Sequence, residues 1–255
     1  MGAYKPVGHN PPPYDPHAKA LRWGARLLIS LGDMPLLTPQ PSLALDTAQT
    51  AHSTLPDTLA AIGACTACAA KLPLGPRPVV HAFPQARLLI AGQAPGRRVH
   101  ETGISFNDAS GERLRGWLGM DHATFYDSGL VALVPMAFCY PGVLPKGGDR
   151  PPPPLCARLW RRTLLAHMPD IRLTLLVGSY SQNHVLGKGS VFERTLHFQD
   201  FLPQGYFPLP HPSWRTGQWE RHTPEFGQTV LPALRQAVAT ALGRPITPQA
   251  KAHTL

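Results

Sequence analysis

Between residues 57 and 242, short continuous apolar segments alternate with longer segments of helical periodicity. The strand candidates are 86–91, 129–135, 172–177 and 205–209. The helix candidates are 57–68, 110–119, 156–168, 178–187 and 226–242. Strands that are apolar on both sides are typical of a parallel sheet covered on both faces. The sequence therefore predicts an α/β fold, a three-layer α/β/α sandwich with a central, mostly parallel four-stranded sheet.

The segments that flank this region differ from it in composition. Residues 1–55 are rich in proline, and we expect an irregular N-terminal extension there, followed by one domain over 56–242 and a flexible tail over 243–255. The amino-terminal segment lacks the apolar stretch of a secretory signal. No apolar run approaches the roughly 20 residues needed to span a bilayer. We therefore expect a cytoplasmic, monomeric enzyme without a membrane partner.

The charge of the chain favours a polyanionic partner. Lys and Arg total 24 against 15 Asp and Glu, which gives a formal net charge of +9. Most of the positive charge is arginine, whose planar guanidinium suits bidentate contact with phosphate. Nucleic acid is therefore a candidate partner, although a basic surface that serves only solubility would have the same composition.

Two short motifs follow strand candidates. GQAPG at 92–96 comes directly after 86–91, and LPHPSW at 209–214 overlaps the end of 205–209. Ligands of open α/β sheets bind outside the carboxyl ends of the strands. Glycine lets backbone approach a ligand closely, and His211 in the second motif is a donor suited to a developing negative charge. The motifs predict a binding site at this edge of the sheet.

The four cysteines form two pairs along the chain. Cys65 and Cys68 make a C-x2-C at the end of a predicted helix, and Cys139 and Cys156 flank a proline-rich segment. Disulfides are rare in the cytosol, so a zinc site or an iron–sulfur cluster is the sharper hypothesis. Four buried apolar thiols are the alternative.

In combination and order, these motifs resemble the uracil-DNA glycosylase superfamily, and its family 4 most, over roughly residues 60–235. The resemblance implies a uracil-DNA glycosylase-like fold and a structural 4Fe-4S cluster on Cys65, Cys68, Cys139 and Cys156, with zinc as the alternative. It also implies that Phe106, at the end of GQAPGRRVHETGISF, stacks on a flipped base. His211 would then donate to the base as the N-glycosidic bond breaks.

The resemblance extends to the residues around the base and along the DNA. The base-binding candidates are Phe106, Gly92, Gln93, Ala94, Asn107 and Pro135. The DNA-contacting candidates are Arg97, Arg98, Lys146, Arg150, Ser213, Trp214, Arg215 and Arg221. The segment 214–222 interleaves aromatic and basic side chains, which favours a loop that fills the gap left by the flipped nucleotide, with Trp214 and Arg215 as the wedge.

The chain departs from the family pattern at three places. Gln93 stands where family 4 has an acidic residue, and Val99 and His100 stand where it has an acidic pair. His100 and Gln93 are the substitutes we expect to position the attacking water. Pro135 replaces the asparagine that reads the uracil edge, and proline offers only a carbonyl acceptor. Recognition of other deaminated bases is consistent with that change.

The leading hypothesis from the sequence is a monofunctional DNA N-glycosylase, a uracil-DNA glycosylase-like hydrolase of base excision repair. It would flip and hydrolytically excise uracil, or another deaminated base, from single- or double-stranded DNA and leave an abasic site. Lysines are scarce near the motifs, which argues against a Schiff-base mechanism. The alternatives are a catalytically weak DNA-binding module that recognises damaged or abasic DNA, and an enzyme for another N-glycoside such as a nucleoside or RNA.

Overall fold

The computed structural model describes residues 54–126 and 129–243. The predicted extension before residue 56 and the predicted tail after residue 243 lie almost entirely outside these ranges, and both stay predictions. No helix in the described ranges is long and apolar enough to cross a membrane.

A four-stranded parallel sheet forms the centre of the described part. Its strands are β1 (Leu88–Ala91), β2 (Val131–Leu133), β3 (Leu173–Val177) and β4 (Tyr206–Leu209), in the order β2-β1-β3-β4. All three pairings are parallel, and Ile90 of β1 lies opposite Leu133 on one side and Leu175 on the other. The strand prediction is confirmed, and each strand is shorter than its apolar segment by one or more residues.

Helices surround this sheet. They are α1 (Leu55–Gly63), α2 (Arg97–Thr102), α3 (Ala109–Leu118), α4 (His122–Phe125), α5 (Pro154–Cys156), α6 (Arg162–Ala166), α7 (Ser179–Leu186), α8 (Val191–Leu196), α9 (Thr216–His222) and α10 (Leu231–Leu242). Single π turns at Ala157–Arg161 and Phe226–Val230 join α5 to α6 and precede α10. Short 3-10 turns lie at Ala69–Lys71, Phe198–Asp200 and Leu202–Gln204.

Two hydrophobic clusters explain why the strands are apolar on both sides. Leu88 and Ile90 of β1 pack in a cluster that also contains buried residues of α3 and α10. Leu89, between them in the same strand, packs in a second cluster with Ile62 of α1 and Leu164 of α6. Successive side chains of a strand point to opposite faces, so a sheet covered by helices on both faces needs apolar residues at every position.

The helix predicted over 57–68 is wrong at its carboxyl end. The helix ends at Gly63, where Ala64 closes the last turn by donating its N–H to the carbonyl of Ala60 at 3.0 Å. Glycine is a poor residue for a helix interior. Cys65 and Cys68 therefore lie on the irregular segment after α1 instead of on the helix.

Candidate active site

A pocket opens at the carboxyl ends of β1, β2 and β3, with about 610 Å³ of empty space that includes its open mouth. It is lined by Gly92, Gln93, Ala94, Pro95, Gly96, Val99, Ser105, Phe106, Asp108, Ser110, Pro135, Asp149, Val177 and His211. The two sequence motifs, 117 residues apart from Ala94 to His211 along the chain, thus face one cavity. This is the edge of the sheet at which ligands of open α/β folds bind.

The loop after β1 is fixed by hydrogen bonds to the segment after β2. The carbonyl of Gly92 accepts from the N–H of Met136 at 2.9 Å, and the carbonyl of Gln93 accepts from Ala137 at 3.1 Å. The side-chain amide of Gln93 donates to the carbonyl of Arg150 at 3.3 Å. These hydrogen bonds fix the backbone of the loop where it lines the pocket. The side-chain amide of Gln93 is already used to bind the Arg150 carbonyl.

Phe106 has the one positive φ among the non-glycine residues of the described ranges, at 56°. The turn is held from both sides, because the hydroxyl of Tyr126 donates to the carbonyl of Ser105 at 2.7 Å and Arg115 donates to the carbonyl of Phe106 at 3.3 Å. The Phe106 ring packs edge-on against Phe125 at 6.0 Å between centroids. A bulky residue with a left-handed backbone conformation is strained, and such positions cluster at functional sites.

His211 lies after β4 and reaches the pocket over Gly178. Gly178 has a φ of +85°, and a Cβ at that position would lie 3.5 Å from the Cβ of His211. The carbonyl of His211 accepts from the N–H of Ser213 at 2.8 Å and from the hydroxyl of Thr216 at 2.5 Å. The backbone of the second motif is therefore held independently of the imidazole.

Burial controls the charge of His211. It lowers the pKa of the imidazole, although the nearby carboxylates of Asp108 and Asp149 act in the opposite direction. A histidine whose pKa is below its usual value is neutral at pH 7 and has one N–H to donate. His211 is thus suited to donate to an acceptor without carrying a full positive charge.

Two carboxylates that were not predicted from the sequence, Asp108 and Asp149, line the pocket. Asp108 is the N-cap of α3, and its carboxylate accepts from the N–H of Gly111 at 2.8 Å. Asp149 is an exposed residue of the pocket lining, and the partial burial of its carboxyl raises the pKa, an effect that His211 opposes and Asp108 adds to. The acidic side chains absent from positions 93 and 99–100 are therefore present in the cavity from elsewhere in the chain. The Gly-Gly-Asp turn at 147–149, inside the cysteine-flanked segment, was the one sequence signal for Asp149.

Of the other residues predicted for the base site, some line the pocket and others do not. Pro135 lines the pocket, as do Gly92 and Ala94. His100 lies on α2, is 8% exposed, and packs with its ring 6.0 Å from that of Tyr140. Neither His100 nor Asn107 is among the residues that line the cavity. The structure does not bring these two side chains together with His211.

The predicted loop at 214–222 is wrong from Thr216 onward, where α9 begins. Trp219 packs into the protein, stacked on Phe192 with 4.5 Å between ring centroids. Trp214 is 80% exposed, and the Arg215 guanidinium lies 5.5 Å from the centre of its ring. The wedge role of Trp214 and Arg215 stays a prediction, whereas Trp219 is a packing residue.

Most of the residues predicted to contact DNA are exposed. Arg97 and Arg98 are exposed on α2, and Arg97 pairs with Glu101 at 2.9 Å. Lys146 and Arg150 are exposed on the segment after Cys139, and Arg221 is exposed on α9. Ser213 is half-buried beside His211. An exposed ion pair of this kind contributes little to stability, so Arg97 is free to exchange its partner for a phosphate.

All four cysteines line a second hollow, with about 420 Å³ of empty space. Two sulfurs accept N–H groups, Cys156 from the Phe138 backbone and Cys65 from the Trp160 indole, each at 3.4 Å. Burial raises the pKa of the Cys156 thiol to about 12. In the described residues, no three His, Cys, Asp or Glu side chains are placed to hold a metal ion. The thiols thus surround one space without converging on a point.

A sequence model of the uracil DNA glycosylase superfamily matches residues 80–235, which is more than half of the chain. The matched range contains all four strands and every residue that lines the pocket. The chain belongs to the uracil DNA glycosylase superfamily. Its members are DNA glycosylases, enzymes of base excision repair that cleave the bond between a base and its deoxyribose.

Proposed function

We propose that this protein is a monofunctional DNA glycosylase that hydrolytically removes uracil, and other deaminated bases, from DNA. The single observation that carries the proposal is that Phe106 and His211, from opposite ends of the matched range, line the same cavity. An aromatic face and a neutral N–H donor are the two groups that a flipped base needs. The product is an abasic site and a free base.

Phe106 and His211 have different roles in the proposed reaction. The ring of Phe106 replaces the stacking that the base loses when it leaves the duplex, which is worth about 1–3 kcal/mol. His211 donates to the base as electrons move onto it from the breaking N-glycosidic bond, and this interaction is stronger in the transition state than before it. Among the described residues that line the pocket, none is a lysine. Hydrolysis therefore fits the site better than a Schiff base.

Recognition of the base edge rests on backbone groups. Pro135 lines the pocket but has only a carbonyl to offer, and Gln93 already donates its amide to Arg150. Peptide groups of Gln93 and Ala94 are the remaining polar partners at the end of β1. A site built in this way selects carbonyl-bearing bases less strictly than an asparagine side chain, and this is why the proposal includes deaminated purines as substrates.

On the protein surface, exposed basic residues hold the DNA backbone. Arg97 and Arg98 are exposed on α2, and Lys146 and Arg150 are exposed on the segment after Cys139. Arginine and lysine contacts to phosphate supply affinity without sequence preference. The exposed Trp214 and Arg215 occupy the space that the flipped nucleotide leaves. The proposed partner is therefore damaged DNA, bound by one copy of the chain.

Within the superfamily, we place this chain near family 4 and propose that Cys65, Cys68, Cys139 and Cys156 hold a 4Fe-4S cluster. Two observations support the fit: the four thiols line one hollow, and N–H groups donate to two of their sulfurs, an interaction typical of cluster ligands. Zinc is the alternative, and a single zinc ion would need all four sulfurs about 2.3 Å away. The cluster, when bound, supplies a cross-link between the segment after α1 and the segment between Cys139 and Cys156.

Replacement of Cys156 by serine is expected to remove most of the iron and the brown colour of the purified protein and to lower its thermal unfolding temperature. The reason is that a cluster needs four thiolate ligands and the described chain offers no fifth cysteine nearby. Iron content and visible absorbance measure the effect. The control is Leu159→Ala, which removes another side chain of the same hollow and should leave the iron in place. A wild-type protein loaded with zinc and free of iron would exclude the cluster.

The activity is tested by base release from labelled oligonucleotides that contain uracil, hypoxanthine or xanthine, each single- and double-stranded. Alkali cleaves the strand at abasic sites, so product appears only where a base has been lost, and an undamaged oligonucleotide is the control. We expect release of uracil and of at least one other base. Retained binding to abasic DNA with no release from any substrate would instead favour the DNA-binding module.

A further inference from the structure

The segment between Cys139 and Cys156 contains a small hairpin whose end lies at the active-site pocket. Residues Val143 and Asp149 form an antiparallel bridge, Leu144 donates its N–H to the carbonyl of Gly148 at 2.8 Å, and Arg150 donates to the carbonyl of Gly142 at 2.8 Å. The Arg150 guanidinium also bonds the carbonyl of Val143 at 3.1 Å. The hairpin is therefore closed by its own hydrogen bonds, and residue 149 has a defined position within it.

One hydrogen bond ties this hairpin to the loop after β1, and its turn lies close to the segment after His211. The carbonyl of Arg150 accepts from the side-chain amide of Gln93, in the loop after β1. A Cβ on Gly148 would lie 3.5 Å from the Arg215 guanidinium, in the segment after His211. Asp149 stands between these two anchored residues and lines the cavity together with His211. Residue 149 is thus held next to the first motif and lies close to the second.

Asp149 differs from the other acidic groups near the pocket. The carboxylate of Asp108 already has a hydrogen-bond partner, because it caps α3 by accepting from the N–H of Gly111. Glu101 pairs with Arg97 and does not line the cavity. For Asp149, no hydrogen bond or ion pair of the side chain occurs within the described residues, and the titratable groups that act on its pKa are His211 and Asp108. It is the carboxylate in the cavity that is available to a reactant.

We propose that Asp149 is the catalytic carboxylate of this site and accepts a proton from the attacking water; the inference rests on the proposed glycosylase activity. The water oxygen forms a bond to C1′ of the deoxyribose as the C1′–N bond breaks, and the bonding pair leaves with the base. The water's proton goes to the carboxylate of Asp149, and the base anion takes a proton from solvent. In the transition state, the negative charge of Asp149 also stabilises the positive charge on the sugar.

The test compares Asp149→Asn with two other variants in single-turnover base release. Asparagine keeps the shape of the side chain but cannot accept the proton, so we expect a rate about 100-fold below wild type. Asp108→Asn keeps the helix cap and should lose less than about 10-fold, since asparagine caps a helix as well as aspartate does. Asp170→Asn is the matched control, because Asp170 is exposed and precedes β3 at the opposite edge of the sheet.

Two further measurements separate a chemical role from a structural one. Affinity of Asp149→Asn for abasic DNA should stay within about 3-fold of wild type if only the proton transfer is lost. NMR titration of His211 should show a lower pKa in the variant, because the charge of Asp149 raises that pKa in the wild type. A wild-type rate in Asp149→Asn, or loss of abasic-DNA binding in step with the rate, would overturn the role of Asp149. A wild-type protein inactive on every base would instead remove the proposed function itself, and with it the inference.

Discussion

Replacement of His211 by alanine is expected to slow base release by about 100- to 1,000-fold, the range found when one donor to a developing anion is removed. The half-buried imidazole lines the pocket and its burial lowers the pKa, which favours the neutral donor, so its loss leaves the departing base without that hydrogen bond. The backbone of the motif should persist, because Ser213 and Thr216 bond the carbonyl of residue 211 and not its ring. Single-turnover base release measures the effect.

The control for this variant is His222→Ala. His222 lies exposed at the end of α9, where its ring contacts the carbonyl of Gln218 at 2.8 Å. It should release base at the wild-type rate, and both variants should keep the thermal unfolding temperature of the wild type within about 2 °C, as expected for changes well below 1 kcal/mol. An active His211→Ala protein would mean that another group stabilises the leaving base.

Replacement of Gly111 by alanine is expected to lower the free energy of unfolding by about 3 kcal/mol or more, because the new methyl group would clash with backbone atoms. A Cβ at this position would overlap the carbonyl oxygen of Phe106 and lie 2.5 Å from its carbonyl carbon. Both are backbone atoms of the left-handed turn, and Arg115 bonds the same oxygen. Denaturant unfolding measures the loss of stability, and base release should fall with it, since Phe106 must move.

Gly116→Ala, in the same helix, is the matched control. A Cβ there would meet no atom within 4 Å. Alanine is a better helix residue than glycine by about 0.5–1 kcal/mol, so this variant should be slightly more stable than the wild type. Equal destabilisation by the two substitutions would show that helix α3, and not the contact with Phe106, sets the effect.

The arrangement of the sheet could be predicted because its physical cause is local in sequence. Strands such as β1 are apolar at every residue, and only helices on both faces make that pattern favourable. The ends of the strands were predicted less well, since these strands of three to five residues end where the pairing with a neighbour ends and not where the apolar run does. The short helices α2 and α9 were missed because six or seven largely polar residues carry no clear periodicity.

Part of the site could be predicted for a similar reason. Gly92 and His211 follow strands, and parallel strands that end at the same edge bring their loops together. Asp149 could not be found in this way, because it lies 16 residues after β2, on a hairpin that is tied to the first motif by the side chain of Gln93. His100 was favoured by its closeness in sequence to the first motif, but α2 turns it toward Tyr140.

The strand order has a consequence for how the protein folds. β1 pairs with β3, 85 positions later along the chain, and β4 pairs with β3 alone at the edge of the sheet. Contacts between residues so distant in sequence form slowly, because a long loop must close before they are made. Phe106 and His211 therefore line one cavity only when the last strand has joined, so catalytic competence should appear late in refolding, and no fragment that stops before β4 can acquire it.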